Sequence, residues 1–253
     1  MKTTPLFLLR LAATGALLAS LALPSLASDD HPSRKRAFNL PPSAELNYTV
    51  KAQLGGIALD GSSLLKFQAT DGKYQTSVET RAMLLGKIST SSSEGAIDAY
   101  GLAPDTATEK RFRKSPTTVL FNREAGTITF SPAAESYSLK GGEQDRVSVT
   151  WQLVGNARAA AKKFVSGSTW QYFVAGRVDA DTWNFKVGKA EKIVTTLGTV
   201  DAIKVERLLP PGSREQQLDI WLAPSLEWYP VRLRFSEPNG DLIEQTLQQI
   251  ERK

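Results

Sequence analysis

Between residues 47 and 54, hydrophobic and polar side chains alternate. Tyr48, Val50, Ala52 and Leu54 share one face; Asn47, Thr49, Lys51 and Gln53 share the other. A period of two marks a strand with one buried and one wet face. The glycines of GGIALDG at 55–61 permit the positive φ of a turn. The alternation returns at Leu65, Phe67 and Ala69, and again at Tyr74, Thr76 and Val78, with DGK between. Residues 119–123 and 127–130, joined across EAG, extend an antiparallel meander. Farther on, Trp183, Phe185 and Val187 share a face, and a hairpin is expected at Leu197-Gly198 with Ile203 and Val205 inward. Strands follow at 218–222 and 231–235, then a turn at Asn239-Gly240. Residues 241–252 fit either element: Ile243, Leu247 and Ile250 suit a helix, whereas the preceding Asn-Gly turn favours a closing strand.

One segment has a different period. Over 145–165 the apolar positions are Val147, Trp151, Val154, Ala157, Ala161, Phe164 and Val165, the stripe of an amphipathic α-helix. Arg146, Gln152, Arg158, Lys162 and Lys163 are expected on its wet faces, and Gly155 costs about 1 kcal/mol relative to alanine. A sheet with one exposed apolar face needs a cover, and this helix can supply it. The expected fold is mainly β, a curved antiparallel sheet forming an unclosed half-barrel with the helix on its concave side.

The first residues set the compartment. Lys2 and Arg10 precede an apolar run at 11–23 that is too short to span a bilayer, and Ser25 and Ala27 are small residues before a cut. This is the layout of a secretory signal peptide cleaved between Ala27 and Ser28. The reading assigns 1–27 to the leader, 28–42 to a polar, disordered lead-in and 43–253 to one β-rich domain in the periplasm, with no transmembrane segment in the mature chain. The chain has no cysteine, which removes a lipobox anchor, thiol catalysis and thiolate-held zinc. Its single histidine, His31, falls in the lead-in, so the usual general base near neutral pH is missing from the domain. Without Lys2 and Arg10, 29 basic residues face 26 acids, an excess too mild for nucleic-acid binding.

Catalytic and metal motifs fail on geometry. Ser63 and Lys66 in SLLK meet only on a helical turn and point to opposite faces of a strand. LGKIST at 85–90 has Arg81 where a phosphate loop needs glycine. Asp179 and Asp181 lack the glycine and glutamate of a calcium loop and are expected in a solvated turn. No cofactor is expected. The basic run at 110–114, with Phe112, Arg113 and Lys114, is a candidate contact for envelope partners, or a charged edge strand. Trp228 and Tyr229 are a second candidate contact, at an expected loop tip. Trp151, Val154, Phe164, Trp183, Phe185, Trp221 and Phe235 are expected to fill the core or to line an apolar pocket. Either Trp221 is buried beside a paired Asp219, or it lies on the wetter face of its strand.

AELNYTVKAQLGGIALDGSSLLKF, QDRVSVTWQL, TTLGTVDAIKVER and LDIWLAPSLEWYPVRLRF, in that order, resemble domain of unknown function family 3108, from about residue 40 to the C-terminus. The resemblance implies exported bacterial envelope proteins rich in antiparallel strands, and it brings no catalytic residues. A looser likeness, in architecture, is to lipoprotein carriers of the LolA/LolB type. Two readings of function remain. One is a non-enzymatic protein holding a lipid-like, apolar or amphipathic molecule between sheet and helix. The other is a solid adaptor that touches envelope proteins through its aromatic and basic loops.

Overall fold

The computed structural model describes residues 31 and 33–253; the expected leader and its cleavage point at Ala27–Ser28 lie outside the described residues. The first strands are β1 (Ala44–Leu54), β2 (Ile57–Thr70), β3 (Lys73–Ala82), β4 (Gly86–Asp98) and β5 (Gly101–Arg111). Shorter strands follow: β6 (Thr117–Asn122), β7 (Thr127–Ser131), β8 (Ser136–Ser138) and β9 (Gln144–Asp145). After the helix α1 (Ser148–Ala159) come β10 (Thr169–Ala175), β11 (Ala180–Thr195), β12 (Gly198–Leu208), β13 (Gln217–Leu222), β14 (Pro230–Ser236) and β15 (Leu242–Arg252). Residues 242–252 are therefore strand, as the Asn-Gly turn favours.

All the strands belong to one sheet of 15, ordered from β8 back to β1, then from β15 back to β9. The first and last strands pair in its middle, so the chain ends staple its two halves together. The sheet curls without closing into a barrel. Where its two ends approach each other, Phe173 of β10 meets Tyr137 of β8 at 5.8 Å, and a small apolar cluster including Val119, Ile128 and Phe130 fills the seam.

The sequence pattern misses β4, β5 and β10. GKISTSSSEGAID carries small polar residues on half-exposed faces and has no apolar alternation. In β5, Pro104 sits at a bulge opposite Gly95, where a Cβ would lie 2.1 Å from the Ala103 carbonyl oxygen; only glycine allows that approach.

The helix is shorter than 145–165 and is not a surface cover. Asp145 pairs with β10, and its Oδ1 accepts the N–H groups of Val147 (2.7 Å) and Ser148 (3.0 Å), which starts the helix. Ala160 ends it despite the helix-forming AKK that follows, because the chain must turn back into β10. Residues 160–163 are therefore turn rather than helix, with Phe164 still buried and Val165 48% exposed. Every residue from Ser148 to Ala157 is buried, so Gln152 has no wet face. Its amide accepts from Leu102 N (2.8 Å) and donates to Tyr100 O (2.8 Å) instead. Arg146, also expected on a wet face, is half-buried beside Trp183, and desolvation pulls its guanidinium below the usual arginine range.

The lead-in corrects a second expectation. Residues 31 and 33–42 form no regular element, yet several of them contact the domain. His31 is buried in the seam, its ring stacked on Phe173 at 3.8 Å and its Nε2 2.9 Å from Glu143. Phe38 lies against Gly155, and Asn39 N donates to Gly155 O at 3.0 Å. Polar composition hides this because the contacts use one aromatic at a time.

A Cβ at Gly155 would fall 2.1 Å from the Phe38 ring. Gly155→Ala should therefore destabilise the protein, against the gain of about 1 kcal/mol expected from helix propensity. Combined with Phe38→Ala it should cost less than the sum of the two single changes. Urea unfolding of the double-mutant cycle measures that coupling.

Candidate ligand groove

The space between helix and sheet is filled. Trp151 stacks on Phe67 of β2 at 4.4 Å, meets Tyr229 edge-on at 6.0 Å, and donates from Nε1 to Thr76 Oγ1 at 2.8 Å. Leu153, Val154, Ala157, Phe67, Phe185 and Tyr229 are each 0% exposed. A void able to hold water would leave part of such walls accessible. Trp151, Val154, Phe164 and Phe185 are thus core, and Phe235 packs at its margin. Trp183 is also buried, its ring 3.8 Å from the Arg207 guanidinium carbon. These residues line no pocket between sheet and helix.

Trp221 stands on the face of β13 opposite Ile220. Its Nε1 donates to Glu191 at 2.8 Å, and Lys204, Arg232 and Arg234 lie over its ring at 5.3–5.9 Å. Asp219 on the same face pairs with Lys204 at 2.9 Å. Both faces of β13 are therefore buried, the outer one under the stems of long cations.

An open groove of about 960 Å³ lies at the end of α1 instead. One wall is the lead-in (Arg34, Lys35, Arg36, Ala37), the other the helix end and the turn after it (158–163), with Ser168, Thr169 and Trp170 between. Six lining residues are cationic: Arg34, Lys35, Arg36, Arg158, Lys162 and Lys163; none is acidic. Part of that charge complements the negative end of the helix, but a helix end does not call for three cations on a separate segment. Arg36 lies over the rings of Tyr172 (4.9 Å) and Trp170 (5.8 Å), and burial pulls its guanidinium below the usual arginine range while leaving it charged. Arg158 carries a buried Nε with no hydrogen-bond partner among the described residues.

An aromatic row supports the floor. Trp170 meets Phe164 at 5.2 Å, and Phe164 meets Trp228 edge-on at 5.7 Å. Trp228 is half-buried by this contact and is not a free loop tip. Tyr229, its expected companion at an exposed tip, is fully buried, with its hydroxyl donating to Pro42 O at 2.9 Å. The chain turns here with Glu227 and Trp228 both in the left-handed region (φ 56° and 63°). Such conformations cost about 1–3 kcal/mol each in non-glycine residues. Arg158 offsets the strain by bonding both the carbonyl and the carboxylate of Glu227.

With residues 33–36 expected in a disordered lead-in and Lys162 and Lys163 on a wet helix face, the sequence pattern does not reveal the groove. Two basic runs more than 120 residues apart are brought together by the contacts of Ala37, Phe38 and Asn39 with Gly155 and Asn156. The run at 110–114 is the tip of the β5–β6 hairpin, well inside the sheet order, and not an edge strand. Asp179 and Asp181 are exposed in the β10–β11 hairpin. Among the described residues no group of three or more histidine, aspartate or glutamate side chains is placed to hold a metal ion.

Comparison with known proteins agrees with this architecture. The profile of a family described as "protein of unknown function (DUF3108)" matches residues 47–248, and the chain belongs to that family. The fold is similar to a β-barrel-like protein of another family of unknown function, DUF1849, from Brucella abortus, with a TM-score of 0.57 at 13% identity, covering 86% of this chain and all of the other. A DUF1329 family protein from Desulfovibrio piger aligns with a TM-score of 0.28 at 6% identity (84% of this chain, 86% of the other). The Mycobacterium tuberculosis lipoprotein LppX aligns at 0.26 and 11% identity (81% and 84%). No curated protein matches the chain.

Arg158 holds the Glu227 carboxyl below the usual carboxylate range. A depressed acid stabilises the fold above its unfolded pKa of about 4.3, and that contribution disappears as pH falls through the folded value. Glu227→Gln should lower the melting temperature at pH 7, and the gap from the parent protein should close below about pH 4. Thermal unfolding across pH checks this.

Proposed function

We propose that this family member is a non-catalytic binding protein of the bacterial envelope that holds an anionic amphipathic molecule in the groove at the helix end. The observation that carries the reading is the lining itself: six cations, four alanines and Trp170 around about 960 Å³, without one carboxylate. That volume suits a lipid-sized ligand. The alanines and the indole offer apolar contact for a chain, and Lys162 and Lys163 offer charge to a headgroup. Export is supported by the leader-like pattern of 1–27. Binding is favoured over catalysis because the groove has no carboxylate and the one histidine is stacked in the seam beside Phe173.

The filled core moves the ligand site away from the space between helix and sheet. A carrier of this design offers a surface groove that can exchange its ligand without unpacking Trp151.

Protein purified under native conditions and extracted with organic solvent should release an anionic amphiphile detectable by mass spectrometry. Lys162→Glu combined with Lys163→Glu should weaken binding of a fluorescent fatty acid by roughly tenfold, since each exposed ionic contact contributes up to about 1 kcal/mol. A clean extract, together with no binding of the fatty-acid probe by the parent protein, would refute the reading.

A further inference from the structure

The end of the sheet opposite the groove carries three projecting hairpins. Residues 51–62, 81–92 and 108–118 include no buried residue, whereas Val50, Ser63, Thr80, Ser93, Ala107 and Val119 just below them are buried. Counting strand and turn residues together, each arm of these hairpins therefore stands about five or six residues beyond the core, a projection of roughly 15–20 Å at about 3.3 Å per residue. The hairpins are neighbours in the sheet order: β1–β2, β3–β4 and β5–β6. Backbone bonds tie them together near the tips, from Met83 N to Asp60 O (3.0 Å) and from Phe112 N to Ile88 O (2.7 Å).

These tips hold the two most exposed large apolar side chains of the described residues, Leu84 and Met83, with three more close by. Leu84 is 90% exposed, Met83 77%, Ile57 63% and Leu85 58%, with Phe112 at 44% on the next hairpin. Isolated exposed leucines need no explanation, but three consecutive apolar residues on a projecting turn, with Ile57 and Phe112 on the neighbouring hairpins, are an interaction surface. Cations collar it: Arg81 and Lys87 flank the Met83–Leu85 turn, and Lys110, Arg111, Arg113 and Lys114 flank Phe112. Glu79 pairs with Arg81 and Lys87, and Glu109 with Arg111. Lys110, Arg113 and Lys114 make no ion pair among the described residues. The next tip along the sheet, β14–β15, carries Glu237 and Asp241 instead, which bounds the surface on that side.

We infer that these hairpin tips dock the protein on an anionic membrane surface, with Met83, Leu84 and Leu85 entering the interface and the cations meeting the headgroups. A protein partner would need a cleft to receive a convex, narrow apolar tip, whereas a lipid interface accepts one without a matching shape. Apolar residues leading and cations one or two positions behind follow the depth profile of such an interface, where apolar insertion and attraction to anionic headgroups act together. The surface goes beyond the ligand groove and does not depend on it.

The test exploits the lack of cysteine, which makes an introduced thiol unique. Leu84→Cys bearing an environment-sensitive fluorophore should shift to the blue with vesicles of phosphatidylglycerol and phosphatidylethanolamine. The same label at Leu197→Cys, exposed at the β11–β12 turn on the opposite end, should not shift. Phosphatidylcholine vesicles or 1 M salt should weaken the response, because headgroup charge is then absent or screened. Replacing Met83, Leu84 and Leu85 by serine should reduce vesicle co-sedimentation by about tenfold while leaving the melting temperature and fatty-acid binding unchanged. No shift at position 84 with anionic vesicles, or an equal shift at 197, would overturn the inference. So would a dimer in sedimentation velocity that the serine variant abolishes, or a shift that appears only with an added envelope protein.

Discussion

The structure depends on a helix that is buried on all sides from Ser148 to Ala157. A sheet that curls without closing encloses a volume its own side chains do not fill, and α1 fills it. Burying a helix completely strands its polar side chains, and each unmet amide or hydroxyl costs about 1–3 kcal/mol. The chain meets that demand by reaching outward from the helix in several directions. Gln152 bonds the backbone at Tyr100 and Leu102, Asn156 bonds Ala37 O and the Tyr172 hydroxyl, and the Trp151 indole reaches Thr76. Each bond fixes α1 to a different part of the molecule, so the same contacts that permit burial also set the position of the strands around it.

The lead-in follows from the open seam. A half-barrel leaves two unpaired strand edges, which invite pairing with other chains. Here the edges are covered by packing: Phe173 and Tyr137 bridge the gap, and His31 stacks on Phe173 while contacting Glu143. The same segment then crosses the helix at Gly155 and ends beneath the Tyr229 hydroxyl. Glycine in mid-helix, a defect by propensity, is the residue that allows this crossing. The groove is a by-product of the route, because it is the space left where the lead-in and the end of α1 diverge.

Legibility in the sequence tracked the size of the apolar signal. Strands with one clearly buried face, such as β1 with Tyr48 and Val50 or β14 with Val231 and Leu233, showed their period. Strand β4 did not, since most of its side chains are half-exposed serines and threonines. The helix was recognisable from its stripe, but its environment was not: Gln152 and Asn156 look like surface residues until their partners are known. Family 3108 was recognisable because an ordered set of ordinary strands is distinctive where no single one is. The groove was hidden for a different reason, since its two cationic walls come from distant runs and charge has no period. The exposed Met83–Leu85 turn was invisible because apolar residues near a hairpin are ordinarily assumed to point inward.

The molecule has a direction. Alternate hairpins of an antiparallel sheet lie at opposite ends, so the β3–β4 tip and the β13–β14 loop beside the groove are separated by the length of the strands. With β2 running 14 residues, that distance is on the order of 40 Å. On the two proposals made here, a protein resting its fingers on a bilayer turns its groove away from that bilayer. Its ligand would then arrive from, or leave toward, the aqueous side, since the filled core around Trp151 offers no passage from one end to the other. The charge distribution fits this polarity: cations stand without carboxylate partners at both ends, whereas Lys204, Arg232 and Arg234 along the outer face of Trp221 are matched by Asp219 and Glu244. Pairing along the sides and excess at the ends would orient the molecule at an anionic surface, and the fingers carry the larger exposed apolar cluster, Met83, Leu84 and Leu85 with Ile57 and Phe112, against Val194 and Leu197 at the opposite end.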